Sequence, residues 1–388
     1  MFSRRLPSHL GTTNALTRRL QQLRADGVAI VDLTQSNPTR AGIPYPADLL
    51  QALADPAALT YEPHAFGLPS ARAAVATDHA RRGVVVSPEH VVLTASTSEA
   101  YTWLFKLLCN PGECVLVPRP SYPLFEHLTQ LEGVRIAPYD LEYHGRWQID
   151  FASLDGAPGD VKALLVVTPN NPTGSYVTAA EVDRLSALCA ERSWALVADE
   201  VFADYRLGAD APVTDLAPRA SGCLTFTLGG LSKSIGLPQL KLGWIVAGGP
   251  PDAREAALAH LELIADSFLS VGTPVQVGAA TLLARGAGIR ASIHARVSEN
   301  LATLEETARS FPASELLHVE GGWSAVLRVP AMRGEEQLVL DLLDRERILV
   351  HPGYFFDFRH EAFIIVSLLP PADVFADAAP RLLRAVSN

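Results

Sequence analysis

The chain has 388 residues, 48% hydrophobic and 19% charged, which suits two packed domains and argues against disorder. Its 32 basic and 42 acidic residues leave a formal charge of −10, a poor match for nucleic acid or an anionic membrane, though a local basic pocket stays possible. Cys109, Cys114, Cys189 and Cys223 form no C-x-x-C pair, the N-terminus lacks an apolar signal core, and no run approaches a membrane span. Free thiols in a soluble, cytoplasmic protein are therefore expected.

Residues 13–26 place Leu16, Leu20 and Leu23 on one helical face, with Gly27 as a stop. Residues 28–33 read as a short strand and 34–46 as a loop rich in turn residues. From about residue 70, helices alternate with short apolar strands. Strands are expected at 90–94, 114–118, 161–169, 194–199, 223–228 and 242–248. Helices are expected at 98–109, 121–133 and over roughly 252–310. Several strands are continuous apolar runs, the pattern of strands buried on both faces. The expected fold is α/β: a large domain with a mostly parallel sheet, of a seven-stranded type, sandwiched by helices, plus a smaller α+β domain. The smaller unit would hold the strands "WSAVLRVP" and "FIIVSLL". Residues 1–45 would form an N-terminal arm and part of the small domain, 46–284 the large domain, and 285–388 the small C-terminal domain.

Five places carry candidate chemistry. Ser96 and Glu99 form an S-x-x-E capping box. Either they only cap, or Ser96, Thr97 and Ser98 open an anion seat at a helix N-terminus, in which case Glu99 must turn away from the anion. "VVTPNNPTG" is ordinary turn chemistry or offers Asn171 as a donor at the edge of the sheet. Asp199 follows a fully apolar strand, where it caps the next helix or awaits a cationic partner. Tyr122 lies between turn residues and could simply pack. Lys233 and Lys241 lie eight residues apart in the glycine-bounded segment "GGLSKSIGLPQLKLGW". They snorkel to solvent, or one is a desolvated amine able to form a Schiff base while the other is a fixed cation.

These stretches share a chain order, and each falls where a parallel strand should end. Together with "GL-x-x-AR" (67–72), "SVGTPVQ" (270–276), "GGW" (321–323) and "HPG" (351–353), the set resembles fold-type I pyridoxal-phosphate enzymes of the class I/II aminotransferase family. The likeness covers nearly the whole chain. It implies pyridoxal 5'-phosphate as cofactor, Lys233 as the Schiff-base lysine and proton carrier, and Asp199 as the partner of the pyridinium nitrogen. It further implies Asn171 at the ring oxygen, Tyr122 stacked on the ring, and Ser96, Thr97, Ser98 and Lys241 around the phosphate. Tyr61 would reach the phosphate of a partner subunit, so a homodimer with shared sites is implied. No metal is.

Three positions depart from the family pattern. Phe202 replaces a common Tyr, which implies a raised pKa for the Schiff base, and Gly230 replaces a common phosphate-binding Ser. Ile365 stands where most members carry the arginine that clamps the substrate carboxylate. Arg40 and Arg359 are the candidate substitutes, each otherwise a solvated loop charge. The implied reaction is ping-pong transamination between an amino acid and a 2-oxo acid. The missing arginine keeps a lyase or decarboxylase as an alternative. A ligand-sensing regulator of the same fold is disfavoured by the charge and by an N-terminus that leaves no room for a DNA-binding module.

Overall fold

The computed structural model describes residues 2–3, 5–6, 14–208, 211 and 216–387. Residues 7–13, in the expected N-terminal arm, lie outside them. After a two-residue strand β1 (Val31–Asp32), the chain supplies β2 (Val91–Thr94), β3 (Cys114–Arg119), β4 (Arg135–Tyr143), β5 (Trp147–Ile149), β6 (Val161–Val167), β7 (Ala195–Asp199), β8 (Thr225–Gly230) and β9 (Gly243–Gly248). These last eight form one sheet in the order β2-β9-β8-β7-β6-β3-β4-β5. The pairings from β8 through β7, β6 and β3 to β4 are parallel, while β9 runs antiparallel to both its neighbours and β5 runs antiparallel to β4. The sheet thus has one strand more than the seven-stranded expectation. β4 and β5 escape the apolar-run signature because they lie at the β5 end of the sheet, where most of β4 is exposed or half-exposed and only Tyr139 and Asp140 are buried.

Why the central strands are apolar throughout is visible in the packing. Ala163, Leu165, Val197, Phe226 and Ile245 face Tyr101, Leu104 and Leu261 on one side. Leu164, Val166, Leu196 and Ala198 face Val182, Leu185 and Cys189 on the other. The helices concerned are α1 (Thr97–Leu108), α2 (Ala179–Arg192) and α3 (Pro251–Asp266). With both faces covered, both parities are mainly apolar, Thr225 and Thr227 of β8 being buried polar exceptions. All four cysteines are free thiols.

The helical region expected over 252–310 is two helices, α3 and α4 (Thr273–Ala308), broken at 267–272, where Leu269 takes a positive φ of 47°. The boundary expected at 284/285 falls inside the uninterrupted 36-residue α4. The last third adds β10 (Glu315–Leu316), β11 (Ser324–Arg328), β12 (Ile348–Leu349), β13 (His351–Pro352) and β14 (Phe363–Ser367). Four of them form a second sheet, β10-β11-β14-β13, and β12 pairs in parallel with β1. Ile364 and Val366 of β14 face the main core, while Ile365 faces the opposite way, into a small cluster with Trp147, Leu317, Val326 and Phe356. Among the described residues, no helix is long and apolar enough to cross a membrane.

Candidate active site

β7 and β8 end side by side at one edge of the sheet, with Asp199 level with Leu228. In open α/β sheets this edge, at the strands' carboxyl ends, is where ligands bind. Asp199 closes β7. One carboxylate oxygen accepts the Val201 N–H at 3.1 Å, and the other accepts the Tyr101 hydroxyl at 3.0 Å. Burial pushes its pKa up to about 6, opposed by those two hydrogen bonds and by Lys233.

Lys233 lies in the helical turn Leu231–Ser234 directly after β8. Desolvation pulls its ammonium pKa down to about 8, with Asp199 acting the other way. Its Nζ lies 5.0 Å from the centre of the Trp323 ring and 5.5 Å from that of Phe202. The turn is held from behind through its carbonyls. Lys233 C=O accepts the Tyr205 hydroxyl at 2.6 Å, Ser234 C=O accepts Arg290 Nε at 3.0 Å, and Gly236 C=O accepts the Tyr45 hydroxyl at 2.7 Å. Of these acceptors the local backbone serves only Lys233 C=O, through the Gly236 N–H at 3.3 Å, so these side-chain donors from surrounding elements fix the turn's position.

Ser96 caps α1, its hydroxyl accepting the Glu99 N–H at 3.2 Å. Glu99 turns back: one carboxylate oxygen takes the Ala95 N–H and the other the Ser270 hydroxyl, both at 2.6 Å. The conflict between Glu99 and an anion at Thr97 and Ser98 is thereby removed, and the helix dipole adds its partial positive charge there. Lys241 is exposed, in the left-handed conformation at φ 53°, and makes no ion pair among the described residues. The chain has only four lysines against 28 arginines. Lys106 and Lys162 pair with Glu132 and Glu113, which leaves the two in this segment uncommitted to any acid by direct contact. That scarcity was a signal in the sequence that motif spacing alone does not use.

The glycines of the segment have a packing reason. A Cβ on Gly229 would lie 2.5 Å from Trp244 Nε1, and one on Gly230 3.1 Å from Leu242 O and 3.2 Å from Gly243 Cα. A serine at 230 would need β9 to give way.

In "PNNPTG" the two asparagines divide the work. Asn170 is buried and donates to Pro120 O at 3.1 Å and Thr173 Oγ1 at 2.9 Å, which ties the loop to the turn before Tyr122. Asn171 is half-buried; its carbonyl accepts Ser324 Oγ at 3.4 Å, and its Nδ2 has no partner among the described residues. Tyr122 is exposed on the turn whose Ser121 N–H donates to Phe356 O at 3.0 Å.

Other expected residues stand apart. Tyr61 is 72% exposed and lines a cleft with Trp103, Leu269 and Ser270 that includes none of the residues around Lys233. Arg40 lines a surface cavity with Asp32, Gln35 and Pro370, again without them. Arg359 pairs with Asp140 at 2.9 Å, a carboxylate that Arg119 also holds at 2.8 Å. Ile365 is buried opposite Val326 and His351, so its place is filled by apolar packing. His351 does not restore a cation: burial drops its pKa to about 4, Asp32 opposing, and its ring stacks on Phe355. Residues whose roles the sequence did not show include Tyr101 and Trp323. Tyr101 was readable as a hydroxyl on the sheet-facing side of α1, beside Ala100 and Leu104; Trp323 stood in the quoted "GGW" motif, but only tertiary packing brings it to Lys233.

An amine and a carboxylate, each shifted toward neutrality by burial, a capped helix N-terminus with small hydroxyl residues and an exposed lysine are chemically suited to a phosphorylated cationic ring. Residues 29–374 match the family aminotransferase class I and II. An alanine aminotransferase of Mycobacterium bovis is 30% identical over 377 residues, 93% of this chain and 86% of that protein. The glutamate-pyruvate aminotransferase AlaA of Haemophilus influenzae is 27% identical over 389 residues, 95% and 93% of the two chains. Among solved structures, an Escherichia coli aminotransferase superposes with a TM-score of 0.88 at 24% identity, covering 100% of this chain and 98% of that one. An alanine aminotransferase of Pyrococcus furiosus gives 0.87 at 21%, covering 99% and 100%. The second pair establishes the fold, the family match spans most of the sequence, and the chain therefore belongs to the aminotransferase class I and II family.

Proposed function

We propose that this aminotransferase holds pyridoxal 5'-phosphate on Lys233 and moves an amino group between an amino acid and a 2-oxo acid by a ping-pong sequence. The observation that carries the reading is the pair of Lys233 and Asp199 at adjacent strand ends, each with its charged form destabilised by burial. When bound, the cofactor supplies an electron-accepting ring. The protein does the rest. Asp199 faces the ring nitrogen with a carboxylate already short of a cation. Asn171 offers its Nδ2 to the ring oxygen, and Tyr122 covers one face. Ser96, Thr97, Ser98 and Lys241 receive the phosphate. Lys233, once free, is an amine whose pKa of about 8 lets it take and return a proton near neutral pH.

Neither Arg40 nor Arg359 lines the Lys233 site as it stands. Arg359 is the better candidate for a substrate carboxylate, because two guanidiniums share Asp140 and one can be released. It also follows the Gly353–Phe356 turn that rests on Ser121. A homodimer is supported by apolar side chains left exposed near Tyr61, among them Leu59, Phe268 and Leu269. The cytosol is its expected compartment. The relatives are named for transamination, which weighs against a lyase or decarboxylase.

The test is incubation of the cofactor-loaded protein with alanine or glutamate, first without and then with pyruvate or 2-oxoglutarate. Stoichiometric conversion to the pyridoxamine form, followed by turnover only when an acceptor is added, is expected. Continuous release of ammonia or carbon dioxide from the amino acid alone would overturn the reading.

A further inference from the structure

We propose that Tyr101 is a positioning residue for Asp199: its hydroxyl holds the carboxylate ionised and aimed, and helix α1 thereby joins the anion seat to the ring-nitrogen partner in one rigid element. The inference rests on the cofactor reading above. Tyr101 is buried, and its O–H donates to Asp199 Oδ2 at 3.0 Å while the backbone N–H of Val201 serves Oδ1 at 3.1 Å. The carboxylate is thus gripped by one donor on each oxygen, one from its own loop and one from a separate helix. Burial and the neighbouring Asp199 charge keep the phenol well above its usual pKa, so it stays a donor at any working pH.

The phenol is fixed in turn. Its ring stacks on Phe105 at 6.0 Å and meets Phe125 edge-on at 5.2 Å. These ring contacts fix where the phenol oxygen sits, beside Asp199. Tyr101 also lies four residues after Thr97, about one helical turn from the residues that would face the phosphate. A ligand held at both ends of this site is therefore measured against a single helix, and a displaced carboxylate would lose register with a ring whose phosphate is already seated.

Tyr101→Phe keeps the ring and its aromatic contacts and removes one oxygen. Cofactor-free parent and variant are titrated with pyridoxal phosphate and with an analogue whose ring nitrogen is replaced by carbon. The expected result is a loss of about 10-fold in affinity for pyridoxal phosphate, from one lost hydrogen bond to a charged group. Affinity for the carbon analogue, which makes no demand on Asp199, should be unchanged, and in an Asp199→Asn background the substitution should have no effect on either ligand. With the loaded enzyme, kcat should fall with KM unchanged. Equal losses for both ligands would mean that Tyr101 only packs, and no loss for either would remove its role; both outcomes overturn the proposal. If the parent bound neither ligand, the cofactor reading itself would fail.

Discussion

The carboxyl edge of the eight-stranded sheet and the four-stranded sheet of the last third treat their polar positions in opposite ways. At the first, Asp199 and Lys233 are placed at the ends of apolar strands and held there by partners on other elements: Tyr101 for the carboxylate, and Tyr205, Arg290 and Tyr45 for the lysine turn. Burial that costs each charge some stability is what moves each pKa toward neutrality. At the second, the position expected to carry a carboxylate-binding arginine is Ile365, sealed among Trp147, Leu317, Val326 and Phe356. The difference teaches that the charged strand ends and the packed small sheet are built separately. One depends on a few charged groups at fixed depth, the other on which side chains fill a small sheet.

Substitutions on either side probe that separation. The largest effect is expected from Lys233→Ala. Removing the buried amine after β8 should lower turnover by roughly 10⁴-fold or more, since both attachment and proton transfer are lost. Single-turnover absorbance would check it, and residual activity near the parent's would place the reactive amine elsewhere.

Asp199→Asn should reduce kcat/KM by about 10²–10³-fold through loss of charge stabilisation, yet stabilise the cofactor-free protein near pH 7. The sign follows from the raised pKa of about 6 against 3.8. The stability tied to the protonated acid is present below pH 3.8 and is lost as pH rises through 6, a loss on the order of 3 kcal/mol. Lys233 acts in the opposite window, its contribution present above pH 10.5 and lost as pH falls through about 8. Between pH 6 and 8 both groups are charged and both carry their burial cost. Thermal melts of parent and variant should coincide near pH 4 and separate, variant higher, by pH 7. Parallel pH curves would contradict this.

Ile365→Arg sharpens the comparison from the other side. If the small sheet had merely lost a clamp, restoring the arginine would be harmless. The packing instead predicts a destabilisation of about 3–5 kcal/mol, an unpaired charge being forced among apolar side chains. Denaturant melts would measure it, and a stable Ile365→Arg protein with a lower KM for an amino acid would reverse the conclusion.

Lys241→Ala should have the smallest effect, about 10-fold weaker retention of pyridoxal phosphate, with kcat nearly unchanged at saturating cofactor and the deficit shrinking at high salt. Unaltered retention would mean that the seat at Ser96–Ser98 suffices.

Much of this was legible in the sequence because the relevant signals are local. Continuous apolar runs arise when a strand is covered on both faces, so 161–169 and 194–199 announced the centre of the sheet. A charged residue at the end of such a run lies at the sheet's edge, which placed Asp199; Lys233 follows the next strand after a glycine pair, and the spacing of Ser96 to Glu99 announced a helix N-terminus. What stayed hidden depends on surfaces meeting. β4 and β5 are half-exposed edge strands without a run to read, and the break before α4 is a left-handed Leu269 that no composition marks. Arg40 and Arg359 were eligible by residue type alone, and only the fold showed one in a separate cavity and the other sharing Asp140 with Arg119.

By itself the sequence determined the strand centres and the order of the candidate groups along the chain, because hydrophobic periodicity and turn chemistry act over a few residues, while the roles of Lys233 and Asp199 came from the family resemblance. The tertiary structure alone decided what surrounds them: the phenol on Asp199, the aromatic rings beside Lys233, the carboxylate of Glu99 turned onto Ser270, and the sealed Ile365. The physical reason is that pKa, orientation and access depend on desolvation and on donors from distant elements, and these exist only once the chain has packed.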